Sequence, residues 1–333
     1  MKKKSKKEFD INPRTDLAIE AREAIPSYDE KEIEGVRIDT EFDGDIEITH
    51  VRILNKKGSK ALGKPAGNYI TIESPSMKEN DIENHEKIIK ITAERIASLT
   101  KLKEDSVILV AGLGNWNVTP DALGPKTISK VLVTRHLDAE IPIQIEGRVR
   151  RVAAVSPGVM GITGVETFEM IEGLIGKIKP DVLIAVDALA ARKLSRINAA
   201  IQMSDSGITP GAGVGNKRTE LSEETLGIPV ISIGVPTVVD AATLVNDTMD
   251  KMLEEMIEAA EQGKEFYKML KELAEEEKYK LIYDLLAPYK GNMFVTPKEV
   301  DAVVDRLAYI IANSINIAVH QGITMDDINK YTH

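Results

Sequence analysis

Two aspartates are placed to do chemistry, one in the first turn of a helix and one at the end of a buried strand. Asp121 lies in VILVAGLGNWNVTPDALGP, residues 107–125. There an apolar run enters the glycine turn Gly112-Leu113-Gly114-Asn115, and Thr119-Pro120-Asp121 reads as a helix start. Thr119 suits the N-cap and Pro120 the first helical position. A carboxylate in that first turn is favoured by exposed N–H groups and the helix dipole, whether it serves the helix alone or also a reaction. Asp187 ends the apolar run Val182–Val186, and a charge against such a run must be paired or functional. If the two strands are near neighbours, both carboxylates meet at one sheet edge. Their pKa values are then pushed apart, giving a base that activates water and an acid that protonates a leaving amine. The chain therefore reads as a peptidase with Asp121 and Asp187 as the catalytic pair, Asp187 narrowly preferred as base.

Other candidates carry less. Asp205-Ser206-Gly207 matches the signature of pepsin-like enzymes, but it occurs once and in an α/β context, so it reads as a turn. The glycine-dense loop Thr209–Arg218 fails the patterns of a phosphate-binding loop and of a dinucleotide fold. Backbone N–H groups around Gly213 remain able to meet a substrate carbonyl or carboxylate. Gly112-x-Gly114-x-x-Asn117 lacks the third glycine of a dinucleotide site, and Asp121 would stand where pyrophosphate binds. His50, His85, His136, His320 and His333 show no metal-ligand spacing, and no Gly-x-Ser-x-Gly elbow is present. The expectation is no metal and no cofactor.

The elements that must hold the pair are legible. Four runs rich in valine and isoleucine, Val107–Ala111, Val152–Val155, Val182–Val186 and Val230–Ile233, suit strands covered on both faces. A helix over Pro120–Arg135 would bridge the first two. This predicts an α/β fold with a central twisted, mostly parallel sheet flanked by helices. Residues 36–54 alternate around Asp43-Gly44-Asp45 as a hairpin, and helical spacing runs from Met77 to Leu99. From about residue 241 to 333 the chain reads as helical, and Thr296-Pro297-Lys298-Glu299 reads as a capping box.

Composition bounds the rest. The 333 residues carry a net charge of -10, with 43% apolar and 29% charged side chains. That argues against a protein that coats duplex DNA. The absence of cysteine removes disulfides and thiolate catalysis and is compatible with a reducing compartment. No stretch reads as a membrane span, and the basic start, Lys2 to Lys7, has no apolar region after it. The expected location is the cytoplasm.

Taken together, several strings resemble the germination protease family of spore-forming bacteria. They are RTDLAIEA (14–21), GLGNWNVTPDALGP (112–125), VSPGVMGITGVET (155–167), PDVLIAVDALAAR (180–192), DSGITPGAGVGNKR (205–218) and IGVPTVVDA (233–241). The resemblance implies an atypical aspartic endopeptidase whose catalytic aspartates match Asp121 and Asp187. It implies a fold similar to hydrogenase-maturation endopeptidases, small acid-soluble spore proteins as substrate, a homotetramer, and location in the spore core. It also implies a zymogen. Thr15-Asp16-Leu17-Ala18-Ile19-Glu20 fits the family's cut pattern, with the break between Asp16 and Leu17. Residues 1–16 would be a propeptide and 17–333 one peptidase domain. A cation should read the acidic residue before the cut, with Arg192, Lys217 and Arg218 as candidates. The rival readings are a metal-dependent maturation peptidase and a non-catalytic module that binds spore proteins.

Overall fold

The computed structural model describes residues 15–25, 33–137, 149–211, 218–259, 265, 268, 282 and 293–327. The chain is α/β, with a large sheet flanked by helices. In sequence, α1 (Ala18–Glu23) precedes the strands β1 (Val36–Asp43) and β2 (Ile46–Ile53). Next come α2 (Lys56–Leu62), β3 (Gly67–Glu73), α3 (Ile82–Thr100) and β4 (Val107–Gly112). The middle of the chain gives α4 (Leu123–Ile128), β5 (Arg151–Val155), α5 (Met160–Thr163), α6 (Thr167–Ile178) and β6 (Val182–Ala191). Then follow β7 (Ala200–Ser204), α7 (Glu223–Leu226), β8 (Val230–Asp240), α8 (Ala241–Ala259), β9 (Phe294–Val295) and α9 (Val300–Val319).

The strand order is β1-β2-β3-β7-β8-β6-β4-β5, with β9 paired to β8. All four apolar runs are strands, and β4 is parallel to both β5 and β6. The sheet is nevertheless mixed rather than mostly parallel, because β1, β2, β3, β7 and β8 pair antiparallel in turn. The hairpin at Asp43-Gly44-Asp45 sets that direction, since short connections can join only antiparallel neighbours. The parallel half is the half that carries both aspartates.

Val110, Ile184, Ile201, Ile231 and Ile233 of the sheet share one core with Ile88 and Ile96 of α3 and Leu307, Ile311 and Ile315 of α9. Leu109, Leu183 and Ala185 face the opposite way and pack with Ile171 of α6. Strands covered on both faces explain the unbroken apolar runs. α9 is long and apolar enough to cross a membrane by length and composition, with mean hydropathy 1.4, although no stretch of the sequence had read as a span. Two-thirds of it is buried inside the protein, as in the core helix of a globular fold.

Residues 239–295 form a second unit by chain contacts. Within it Val239 and Asp240 pair with Val295 and Phe294, and Ala242 of α8 packs with Ile282. The helical reading of this region is met by α8 over Ala241–Ala259; apart from residues 265, 268 and 282, residues 260–292 lie outside the described residues.

Two capping expectations fail for one reason. Thr296 Oγ1 donates to Thr237 O at 2.9 Å instead of capping α9, and Thr119 Oγ1 donates to Asp301 at 2.9 Å. Each hydroxyl donates to a tertiary acceptor, which fixes its side chain away from the capping geometry. Asp121 consequently lies in a short 3-10 turn, Thr119–Asp121, before α4.

Candidate active site

The loop after β4 is fixed from three sides. Leu113 N–H donates to Val186 O at 2.8 Å and Asn115 N–H to Asp121 O at 3.0 Å, while Thr237 Oγ1 donates to Pro120 O at 2.7 Å. These bonds tie the turn carrying Asp121 to the strand carrying Asp187. Asp187 does not end its strand as expected: β6 continues through Ala191. Its carboxylate accepts from the Ala188 N–H at 2.9 Å and is buried.

The electrostatics follow from that placement. Burial pushes the Asp121 carboxyl up to about 6, against the pull of the Asn115 N–H. Burial also pushes Asp187 well above the ordinary carboxylate range, and the negative charges of Asp121 and Asp16 add to the rise. The Asp121 charge thus reaches the Asp187 carboxyl, so the two sequence-predicted aspartates lie near one another.

Asp16 is the third acid there because the continuation of β6 holds the segment that contains it. Asp16 N–H donates to Ala190 O at 3.0 Å, and Ala190 N–H returns a bond to Asp16 Oδ2 at 2.8 Å. Lys64 Nζ donates to the carbonyls of Thr15 at 3.1 Å and Asp16 at 2.9 Å. Gln202 accepts from Ala18 N–H at 2.6 Å and donates to Asp16 O at 3.0 Å. Leu17 is fully buried. Farther along, the Glu20 carboxylate accepts from the backbone N–H groups of Arg192 at 2.7 Å and Lys193 at 2.9 Å.

Of the proposed readers of an acidic residue, Arg192 therefore contributes its backbone N–H to Glu20, and Arg218 N–H donates to Pro210 O at 3.2 Å. Lys217 and Gly213 lie outside the described residues, as do residues 1–14 with the basic cluster. The cation beside Asp16 is Lys64, which sequence reading missed. Its only local mark is a place behind Gly63, the left-handed cap of α2. Asp205 is part of a turn, its carboxylate accepting from Asn68 N–H at 2.7 Å. His320 is structural: its Nδ1 accepts from Arg150 N–H at 3.1 Å, and burial pushes it down to about 4. Among the described residues, no three His, Cys, Asp or Glu side chains are grouped so as to hold a metal ion.

A family model described as "Germination protease" matches residues 14–264 and 251–332. The germination protease of Clostridium tetani is 51% identical over 321 residues, covering 96% of this chain and 99% of its own. The chain belongs to the germination protease family. It is therefore a peptidase. The germination proteases of Caldanaerobacter subterraneus and Bacillus cytotoxicus are 49% and 45% identical, each over 96% of this chain. A NiFe hydrogenase maturation protease from Thermococcus kodakarensis is 16% identical with a TM-score of 0.32, covering 66% of this chain and 98% of that one. A likeness that weak carries no argument about this chain.

The seat of the segment is held by Arg196, which is buried among three acids of two elements, α1 and β3. It donates to both oxygens of Glu23, at 2.7 and 2.8 Å, bonds Glu73, and lies 3.6 Å from Glu20. Arg196→Met removes the guanidinium that these carboxylates share and leaves only Lys193, 2.9 Å from Glu23. The expected result is a loss of about 3 to 5 kcal/mol of stability, read by chemical denaturation. A change below about 1 kcal/mol would mean that the cluster is solvated and weak.

Proposed function

We propose that this chain is an endopeptidase of spore germination that degrades small acid-soluble spore proteins. In this reading it is made as a zymogen and cuts itself between Asp16 and Leu17, with Asp121 and Asp187 as an aspartic-type pair. Residues 1–16 are the propeptide and 17–333 the peptidase domain. The active form is a homotetramer in the spore core that uses no metal or other cofactor. The observation that carries the reading is the Asp16–Leu17 bond laid along β6, beside an aspartate whose proton is held by burial and by two neighbouring acids.

The division of labour follows from solvation. Asp121, the less buried acid, ionises first and takes the proton from water. Asp187, buried beside a negative charge, keeps its proton and gives it to the Leu17 nitrogen. This reverses the narrow preference for Asp187 as base. The oxygen of water bonds to the Asp16 carbonyl carbon, the C–N bond breaks, and the products are a carboxylate at Asp16 and an ammonium at Leu17.

The test is incubation of the purified chain across the pH range with and without a chelator, followed by mass and N-terminal analysis. The expected product begins at Leu17, forms regardless of chelator, and shows a bell-shaped pH dependence. Its acid limb lies near the Asp121 value of about 6, and its alkaline limb lies higher, where the pair loses its second proton. Loss of cleavage in chelator, restored by nickel or zinc, would replace the reading with a metallopeptidase. Binding of substrate peptides without product would replace it with a binding module.

A further inference from the structure

We propose that Lys64 and Gln202 form the oxyanion site of this peptidase, polarising the carbonyl of the bond that is cut. The inference rests on the Asp16–Leu17 cleavage reading and adds a catalytic function to two residues outside the aspartate pair. It is carried by convergence. Lys64 Nζ lies 2.9 Å and Gln202 Nε2 3.0 Å from one oxygen, the carbonyl of Asp16. These are hydrogen-bond separations to the ground-state carbonyl oxygen, so both donors already stand within reach of the oxyanion that develops from it.

Each donor is fixed by its own surroundings. The Gln202 amide cannot be turned over, because exchange would set its Nε2 against the Ala18 N–H and its Oε1 against the Asp16 carbonyl. Gln202 sits on β7 opposite Thr71 of β3, so paired strands hold its backbone on one side. Lys64 follows the Gly63 cap of α2 and bonds the Thr15 carbonyl as well, which points the ammonium down the backbone of the segment. Burial lowers the Lys64 pKa, while the charges of Asp16 and Glu20 oppose that shift. A desolvated cation stabilises a new negative charge far more than a hydrated one does.

The step balances without further reagents. As the oxygen of water bonds to the Asp16 carbon, the C=O pair moves onto the oxygen, where Lys64 and Gln202 meet it. The water proton goes to the base of the aspartate pair. When the oxyanion collapses, the C–N bond breaks and the acid of the pair protonates the Leu17 nitrogen.

The experiment follows the rate at which the full chain acquires a Leu17 N-terminus. Hydrogen exchange at the Asp16 and Ala18 amides reports in parallel whether the segment stays on β6. Lys64→Met is expected to slow cleavage by about 10²- to 10³-fold, the usual effect of removing one oxyanion donor, with both amides still protected. Lys64→Arg, which keeps charge and donors, is expected to recover part of that rate. Cleavage by Lys64→Met within about threefold of wild type overturns the proposal and leaves the aspartate reading standing. Slow cleavage with lost protection also overturns it, since Lys64 would then only hold the segment. If Lys64→Met does not fold, Lys64→Gln takes its place under the same criteria. A wild-type chain that never processes itself ends both readings together.

Discussion

Asp187→Asn should give a folded chain that never acquires a Leu17 N-terminus, and Asp121→Asn should do the same. An amide neither accepts a proton from water nor donates one to the leaving nitrogen. The expected loss is at least about 10³-fold for each, since each removes a proton-transfer step and unbalances the pair. Stability separates this from misfolding. Both carboxyls hold their protons more tightly folded than unfolded. They therefore favour the folded state below the unfolded value of about 4, and that gain is lost as pH rises through the folded values. At neutral pH the ionised Asp121 is a cost, of order 3 kcal/mol with its value near 6. The asparagine variants should thus melt no lower than wild type at neutral pH and show no advantage near pH 4. Wild-type cleavage by either variant removes that residue from the mechanism. Melting depressed at every pH would assign the carboxylate to structure.

What could be read in advance follows from what a local window contains. The β4 and β6 runs have apolar residues on both faces, and Asp187 stood out because a charge there is costly, Asp121 because it follows a glycine turn at a helix start. That logic also ended β6 too early. The strand continues past Asp187 through Ala188-Leu189-Ala190-Ala191, and Ala190 is the residue that pairs with Asp16. Lys64 and Gln202 escaped because neither has a motif: one follows a helix, and the other is a polar residue in a buried strand. Their meaning appears only when β3 and β7 become neighbours and residues 15–18 lie across them. The failed caps at Thr119 and Thr296 show the same limit, since each hydroxyl found an acceptor more than fifty residues away in the chain.

Gly124→Ala is expected to damage both fold and activity, although it adds only one methyl group. Gly112 at the end of β4 faces Gly124 in α4. A Cβ on Gly124 would lie 2.2 Å from Leu113 O and 2.6 Å from Val186 O, and one on Gly112 would lie 2.3 Å from Gly124 O. These obstacles are backbone atoms of the two strands that carry the loop and Asp187, so no rotamer change relieves them. The helix must move off the sheet, and the Asp121 turn moves with it. Overpacking of this kind costs about 3 kcal/mol or more when backbone must shift. Displacing a catalytic group by about 1 Å costs about 10²-fold in rate. Gly176→Ala in α6 is the control: a Cβ there meets nothing within 4 Å. It should stabilise by about 0.5 to 1 kcal/mol through helix propensity alone, with cleavage unchanged. Denaturant midpoints and self-processing rates of the two variants, measured side by side, decide the matter. If Gly124→Ala were as stable and active as Gly176→Ala, close approach of α4 to β4 and β6 could not be what positions Asp121.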